Sequence, residues 1–143
     1  MKRLLIVVFS LQLLVVFTNC SKKEKEDKKL LIESVWLING MKEHADSAWV
    51  DLYYNSCLSF IGEDRYVLQT GNSCSIGQVK IEKNNKIKFG ATSGMIPGYP
   101  YVSTVSASHA LFHTINHYEV SERKLVLKGD KSEVISLIRY WAL

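Results

Sequence analysis

His109, His113 and His117 recur every fourth residue. On a helix that spacing lines three imidazoles along one stripe, and adjacent members could share a metal ion. All three could not reach one ion, because eight residues of helix rise about 12 Å. No Cys, Asp or Glu stands at ligand spacing beside them, and no Glu is placed next to the first His as the helical metalloprotease motif requires. His109 and His113 are therefore the pair to test for metal. A solvated polar face is the simpler reading of the three, with pH sensing or partner contact behind it. Serines are plentiful, yet there is no Gly-x-Ser-x-Gly elbow. The paired acids Glu63 and Asp64 fall in a turn, where hydration accounts for them, and no glycine-rich phosphate loop is present. The chain reads as a non-enzyme that needs no cofactor.

Elements that could position these residues follow from period-two patterning. In GQVKIEKNNKIKFG, Val79 and Ile81 alternate with Lys80 and Glu82, Asn84 and Asn85 make the turn, and Ile87 and Phe89 alternate with lysines. That is a hairpin with one buried face and one wet face. CLSFIGEDRYVLQT predicts a second hairpin around Gly62, Glu63 and Asp64, and HYEVSERKLVLKG a third near Glu122 and Arg123. VWLI at 35–38 reads as the first strand and SEVISLIRY as the last. About seven short strands joined by tight turns imply a mainly β, antiparallel sheet, curved or closed to manage its edges. One stretch breaks the alternation. Ala107, Leu111 and Ile115 lie four apart, which predicts a short helix from Thr104 to Ile115, capped by Ser103 or Thr104 and packed on the sheet.

Gly90 to Ser103, GATSGMIPGYPYVS, is an apolar loop with three glycines, two prolines and two tyrosines. Met95 and Ile96 read either as a plug for the sheet or, with Tyr99 and Tyr101, as a recognition loop offering rigid contact area at low entropic cost.

The start of the chain concerns location. Lys2 and Arg3 precede an uncharged run from Leu4 to Phe17, the layout of an export leader and shorter than the roughly 20 apolar residues of a membrane span. Thr18, Asn19, Cys20 and Ser21 then resemble a bacterial lipoprotein signal. That resemblance implies cleavage before Cys20, acyl chains on its sulfur and amine, and, with Ser rather than Asp at 21, a lean toward the outer membrane of a Gram-negative cell. Several chains are needed, since one myristoyl-sized chain holds only marginally. Lys22 to Lys29 carries five lysines and three acids and no apolar residue, the composition of a hydrated tether. The chain's net +4 is Lys2 and Arg3 plus the tether's excess of two, so residues 30–143 are formally neutral, which argues against nucleic acid as a partner. The organisation expected is a leader over 1–19, a lipidated cysteine and charged tether over 20–29, and one domain over 30–143.

Within that domain, Trp36 and Leu37, Leu58 and Phe60, Gly71 and Gly77, Ile87 and Phe89, Met95, then Tyr118, Val120, Leu125, Leu127 and Leu137 to Arg139 resemble the META domain of HslJ-like envelope lipoproteins. The resemblance implies an antiparallel half-barrel with one short helix across it. It also implies a non-catalytic role in envelope stress tolerance, through an envelope protein or small ligand as partner. A rival likeness lies in Ser93, Gly94, Tyr99, Lys128 and Gly129, which resemble a small lipoprotein inhibitor of lysozyme-type enzymes. In an oxidising envelope, Cys57 and Cys74 are the possible intramolecular disulfide once Cys20 is acylated, although the hairpin places Cys57 opposite Thr70; two buried thiols are the alternative.

Overall fold

A computed structural model describes residues 22–44, 46–51, 56–70, 73–96 and 111–142. In chain order these form a helix α1 (22–32), then β1 (Trp36–Lys42), β2 (Val50–Asp51), β3 (Ser56–Ile61), β4 (Arg65–Thr70), β5 (Ser73–Glu82), β6 (Lys86–Ile96), β7 (Ile115–Val120), β8 (Lys124–Gly129) and β9 (Val134–Arg139). A single 3-10 turn, Tyr140–Ala142, follows.

The turns fix the register. Asn84 and Asn85 sit at φ of 58° and 56°, the two positive values that a type I′ turn requires. Val79 then falls opposite Phe89 and Ile81 opposite Ile87, as the alternation predicts. Gly62, at φ 67°, turns β3 into β4. Ser121 Oγ accepts from Lys124 N at 3.2 Å in the turn from β7 to β8.

All pairings are antiparallel, and the sheet closes. Trp36 of β1 is in register with Leu58 of β3 on one side and with Arg139 of β9 on the other. Eight strands thus form a ring in the order β1, β3 to β9, with β2 lying outside against Gly40 and Met41. Of the two options left by the strand pattern, closure rather than curvature deals with the edges. The half-barrel implied by the META resemblance is corrected accordingly. One junction is thin: β6 and β7 share the single register pair Lys86 and His117, supplemented by Tyr118 N donating to Asn85 O at 2.9 Å.

An eight-stranded ring is about wide enough for side chains to fill it. Here Phe60, Tyr66, Phe89 and Phe112 meet in the interior, with ring centroids of Phe89 and Phe112 4.8 Å apart and those of Phe89 and Tyr66 5.1 Å apart, both edge to face. Trp36, Leu58, Leu68, Leu125, Leu127 and Leu137 complete much of the surrounding core, each no more than 1% exposed.

A short helix beside a mainly β sheet is present as expected, but two segments need correction in detail. Residues 22–29 are helical and docked, not a hydrated tether. Lys and Glu are good helix formers, and Lys22 with Glu26 and Lys29 with Glu33 are spaced one turn apart. The apolar residues that hold α1 down are confined to its last turn, where Leu31 is fully buried and Leu30 and Ile32 pack on the core. In the second case only Leu111 and Phe112 are helical among the described part of 104–115, and Ile115 opens β7. There the β-branched Ile115 is taken up by the sheet, its Cα partner being Gly129 of β8.

Glycine positions give a stability test. A β-carbon on Gly77 would lie 2.5 Å from Cζ and Oη of Tyr66, a ring that the core holds in place. One on Gly40 would meet the Trp49 indole at 2.6 Å, but that ring is 43% exposed and can swing away. Gly77→Ala is expected to lower unfolding free energy by about 2 kcal/mol and Gly40→Ala by less than about 1. Urea midpoints of the two variants check the order.

Candidate functional site

The ring separates two ends. Strands β1, β4, β6 and β8 start, and β3, β5, β7 and β9 finish, at the end that α1 covers. Glu24 Oε1 accepts from Asn84 N at 2.8 Å, and Lys28 Nζ meets Glu63 Oε2 at 2.6 Å, so the helix lies across two hairpin turns. At its far end the Trp36 indole donates to Leu31 O at 3.0 Å, tying the last helical turn to β1. Beneath the helix, burial foremost and then the carboxylates of Asp27 and Glu24 push the Tyr118 phenol up to about 12.

Between α1 and the turn from β7 to β8 runs an open groove. Glu26, Asp27 and Glu122 supply acids, Arg123 and Arg139 supply cations, and Trp141 forms a wall. The Arg139 guanidinium stacks over the Trp141 ring at 3.5 Å from its centroid, a cation–π contact in a site open to water. Tyr140 and Trp141 are 65% and 68% exposed, the most exposed large apolar side chains among the described residues. The sequence reading singled out neither. The signal available was RYWAL, two interfacial aromatics following a strand that had already ended.

The residues picked out by spacing are dispersed. His113 lies in a turn, its Nδ1 3.3 Å from Phe89 O, and His117 lies in β7, so these two do not form a helical stripe; His109 falls outside the described residues. No group of three or more His, Cys, Asp or Glu among the described residues could hold a metal ion. Met95 and Ile96 are in β6, opposite Ser75 and Cys74, which corrects the expectation of a loop from Gly90 onward. The β5 partner extends back to Ser73 and continues the pairing. Tyr99 and Tyr101 fall outside the described residues, as does Cys20.

Cys57 and Cys74 are free thiols. Cys57 on β3 is in register with Gln69 on β4, not Thr70, and Gln69 is in register with Cys74 on β5. Two strand spacings put the cysteine Cα atoms roughly 9.5 Å apart, beyond the ~7 Å that a disulfide can bridge without backbone movement. The disulfide expectation is corrected by that intervening strand. Burial, and then Cys74, push the Cys57 thiol up from its ordinary value. Since the thiolate is the nucleophile, iodoacetamide at pH 8 is expected to label Cys57 several-fold more slowly than a free cysteine, and faster as pH rises. Without reductant both Cys57 and Cys74 should be labelled, as peptide mass spectra would record.

Acids that might have served catalysis have structural partners. Glu133 is 4% exposed, and its Oε2 accepts from Lys131 N at 2.7 Å, bracing the turn from β8 to β9. Hydrogen bonds from Lys128 and Lys80 hold the Glu119 and Glu82 carboxyls below the usual range on the wet outer wall. The covered end thus brings exposed aromatic side chains together with acids and cations around one groove. No helix among the described residues is long and apolar enough to cross a membrane.

No family model matches the chain, and no curated protein matches it. Two solved structures share its architecture. A DUF4847 family protein from Bacteroides vulgatus superposes with a TM-score of 0.62 at 11% identity, covering 78% of this chain and 95% of that one. A protein from Burkholderia xenovorans, solved by NMR, superposes with a TM-score of 0.60 at 18% identity, covering 78% and 84%. At such identities what the three chains have in common is a fold: a mainly β antiparallel barrel.

Proposed function

We propose that the chain is an exported lipoprotein, anchored in the cell envelope by acyl chains on Cys20, whose barrel is a non-catalytic module that binds an envelope protein or small ligand. The observation that carries this reading is the docking of α1. The helix runs from residue 22 across one end of the barrel, so the chain leaves toward Cys20 at that end. The opposite rim, which includes 43, 44, 46–49 and 130–133 among the described residues, is the surface we assign to a partner. An interior occupied by apolar side chains also favours recognition at the surface over chemistry inside. Tyr99 and Tyr101, which follow β6 where it reaches that opposite rim, are the proposed contact residues. An outer-membrane location and a part in stress tolerance belong to the same proposal and rest on the lipoprotein and META resemblances.

The test has two readouts. Mass spectrometry of the membrane-extracted protein is expected to find a diacyl or triacyl group on Cys20, and Cys20→Ser to be unmodified. Crosslinked envelopes are then probed with residues 21–143 as bait, since α1 is part of the fold. A partner retained by wild type and lost with Tyr99→Ala plus Tyr101→Ala is the expected result. A captured lysozyme or protease would make the protein an inhibitor. An unmodified Cys20, or no specific capture, would overturn the corresponding half of the reading.

A further inference from the structure

We propose that the end of the barrel covered by α1 rests on the lipid surface itself, with Tyr140 and Trp141 in the headgroup layer. This rests on acylation of Cys20 and adds what that reading does not contain: a fixed orientation and a second, aromatic point of attachment.

The first argument is reach. Only Ser21 separates Cys20 from the described helix, and two residues of chain span at most about 7 Å. Because α1 is held to the barrel by Leu31, Lys28 and Glu24, the anchor has no free tether on which the domain could stand away from the bilayer. The covered end is kept within about the 10 Å width of a helix from the acylated residue.

The second argument is where the apolar surface lies. Six large hydrophobic residues are exposed among those described. Val35, Ile61, Tyr140 and Trp141 belong to the end that carries α1, at the tips of the adjacent strands β9, β1 and β3. Tyr140 N donates to Val35 O at 3.0 Å, which places that part of the patch side by side. The other two, Trp49 and Val50, sit toward the opposite end on and beside β2. Trp and Tyr are the residues that favour the boundary between headgroups and water, their rings apolar and their N–H or O–H wet.

The third is charge. Exposed Lys22, Lys23 and Lys25 flank the anchor, while the groove beside Trp141 offers Arg123 and Arg139 together with Glu26, Asp27 and Glu122. A groove of mixed sign suits a zwitterionic headgroup, phosphate toward the arginines and amine toward the acids.

The trptophan positions provide the experiment: Trp36 is buried, Trp141 marks the covered end and Trp49 the opposite one. Acylated full-length mature protein is reconstituted in vesicles of phosphatidylethanolamine and phosphatidylglycerol containing lipid brominated near the headgroup. Trp49→Phe, which keeps Trp141, is expected to lose at least about twofold more emission than Trp141→Phe, which keeps Trp49. The unsubstituted protein should fall between the two. Should either variant fail to fold, Trp49→Tyr or Trp141→Tyr replaces it and the same pair of quenching measurements is compared. Equal quenching, or none, in protein that is acylated and sediments with vesicles would overturn the orientation and leave the anchor intact. An unmodified Cys20 in the mass spectrum would overturn both.

Discussion

Phe89→Ala is expected to cost the barrel about 3–5 kcal/mol, a large share of the ~5–15 kcal/mol by which a domain is usually stable. Phe89 points inward from β6 opposite Val79 and touches three rings: Phe60, Tyr66 and Phe112. Truncation removes the apolar area of a ring that is 6% exposed and leaves a cavity that a closed ring of strands cannot readily collapse. It also removes two edge-to-face pairs worth about 0.5–1.5 kcal/mol each beyond their area. Those gains are already partly inside the measured range for Phe→Ala and are not added to it. Phe89→Leu, which keeps most of the volume, is expected to lose less than about 2 kcal/mol. Urea unfolding of both variants measures the difference. A loss below 1 kcal/mol for Phe89→Ala would mean that the four rings do not form the centre of the core.

The second large effect concerns α1. Leu31→Ala is expected to destabilise by about 2–4 kcal/mol, because Leu31 is fully buried and plugs the end of the ring beside Trp36. Lys28→Ala, by contrast, is expected to change stability by less than about 1 kcal/mol. It breaks a pair at 2.6 Å whose Glu63 side chain is 66% exposed, and surface ion pairs contribute little. Loosening of the helix should also be visible without global unfolding. Amides of residues 22–32 are expected to exchange faster in Leu31→Ala than in wild type, while those of β4 and β5 keep their protection. If Leu31→Ala is neutral, α1 is not part of the cooperative unit and the domain begins at β1.

The contrast between these two sites explains what could be read from the chain. Phe89 belongs to a hairpin whose apolar and lysine positions alternate strictly and whose Asn-Asn turn admits one register, so local chemistry decides the outcome. The same holds at Gly62 and at the turn near Glu122. Closure was legible only as an alternative, because the pairing of Trp36 with Arg139 depends on residues a hundred positions apart and leaves no local mark. The helix was misread for another reason. Its charged residues satisfy the composition of a tether as well as that of a helix, and the three apolar residues that dock it look like the start of the next element. Around 104–115, the four-residue spacing of Ala107, Leu111 and Ile115 was compatible with a helix, but β7 had claimed Ile115. The cysteine pairing failed by one register step and one strand, which no spacing argument can resolve without the sheet order. Tyr140 and Trp141 carry no motif at all, and their interest comes from which end of the ring they occupy.

The uneven joints of the ring bear on how it assembles. Strands β1 and β3 to β6 form one meander and β7 to β9 another, each built from neighbours in the chain. The join that is near in sequence, β6 to β7, has one register pair, whereas the join from β1 to β9 has six and spans almost the whole domain. The loop-closure entropy therefore falls on the contact that makes the ring whole, which places such a fold among slow, non-local folders. In any species in which that joint is not yet made, β1 and β9 are open edges able to pair with another copy. For a chain whose ring is closed by such a joint, the speed of closure matters as much as the depth of the native well.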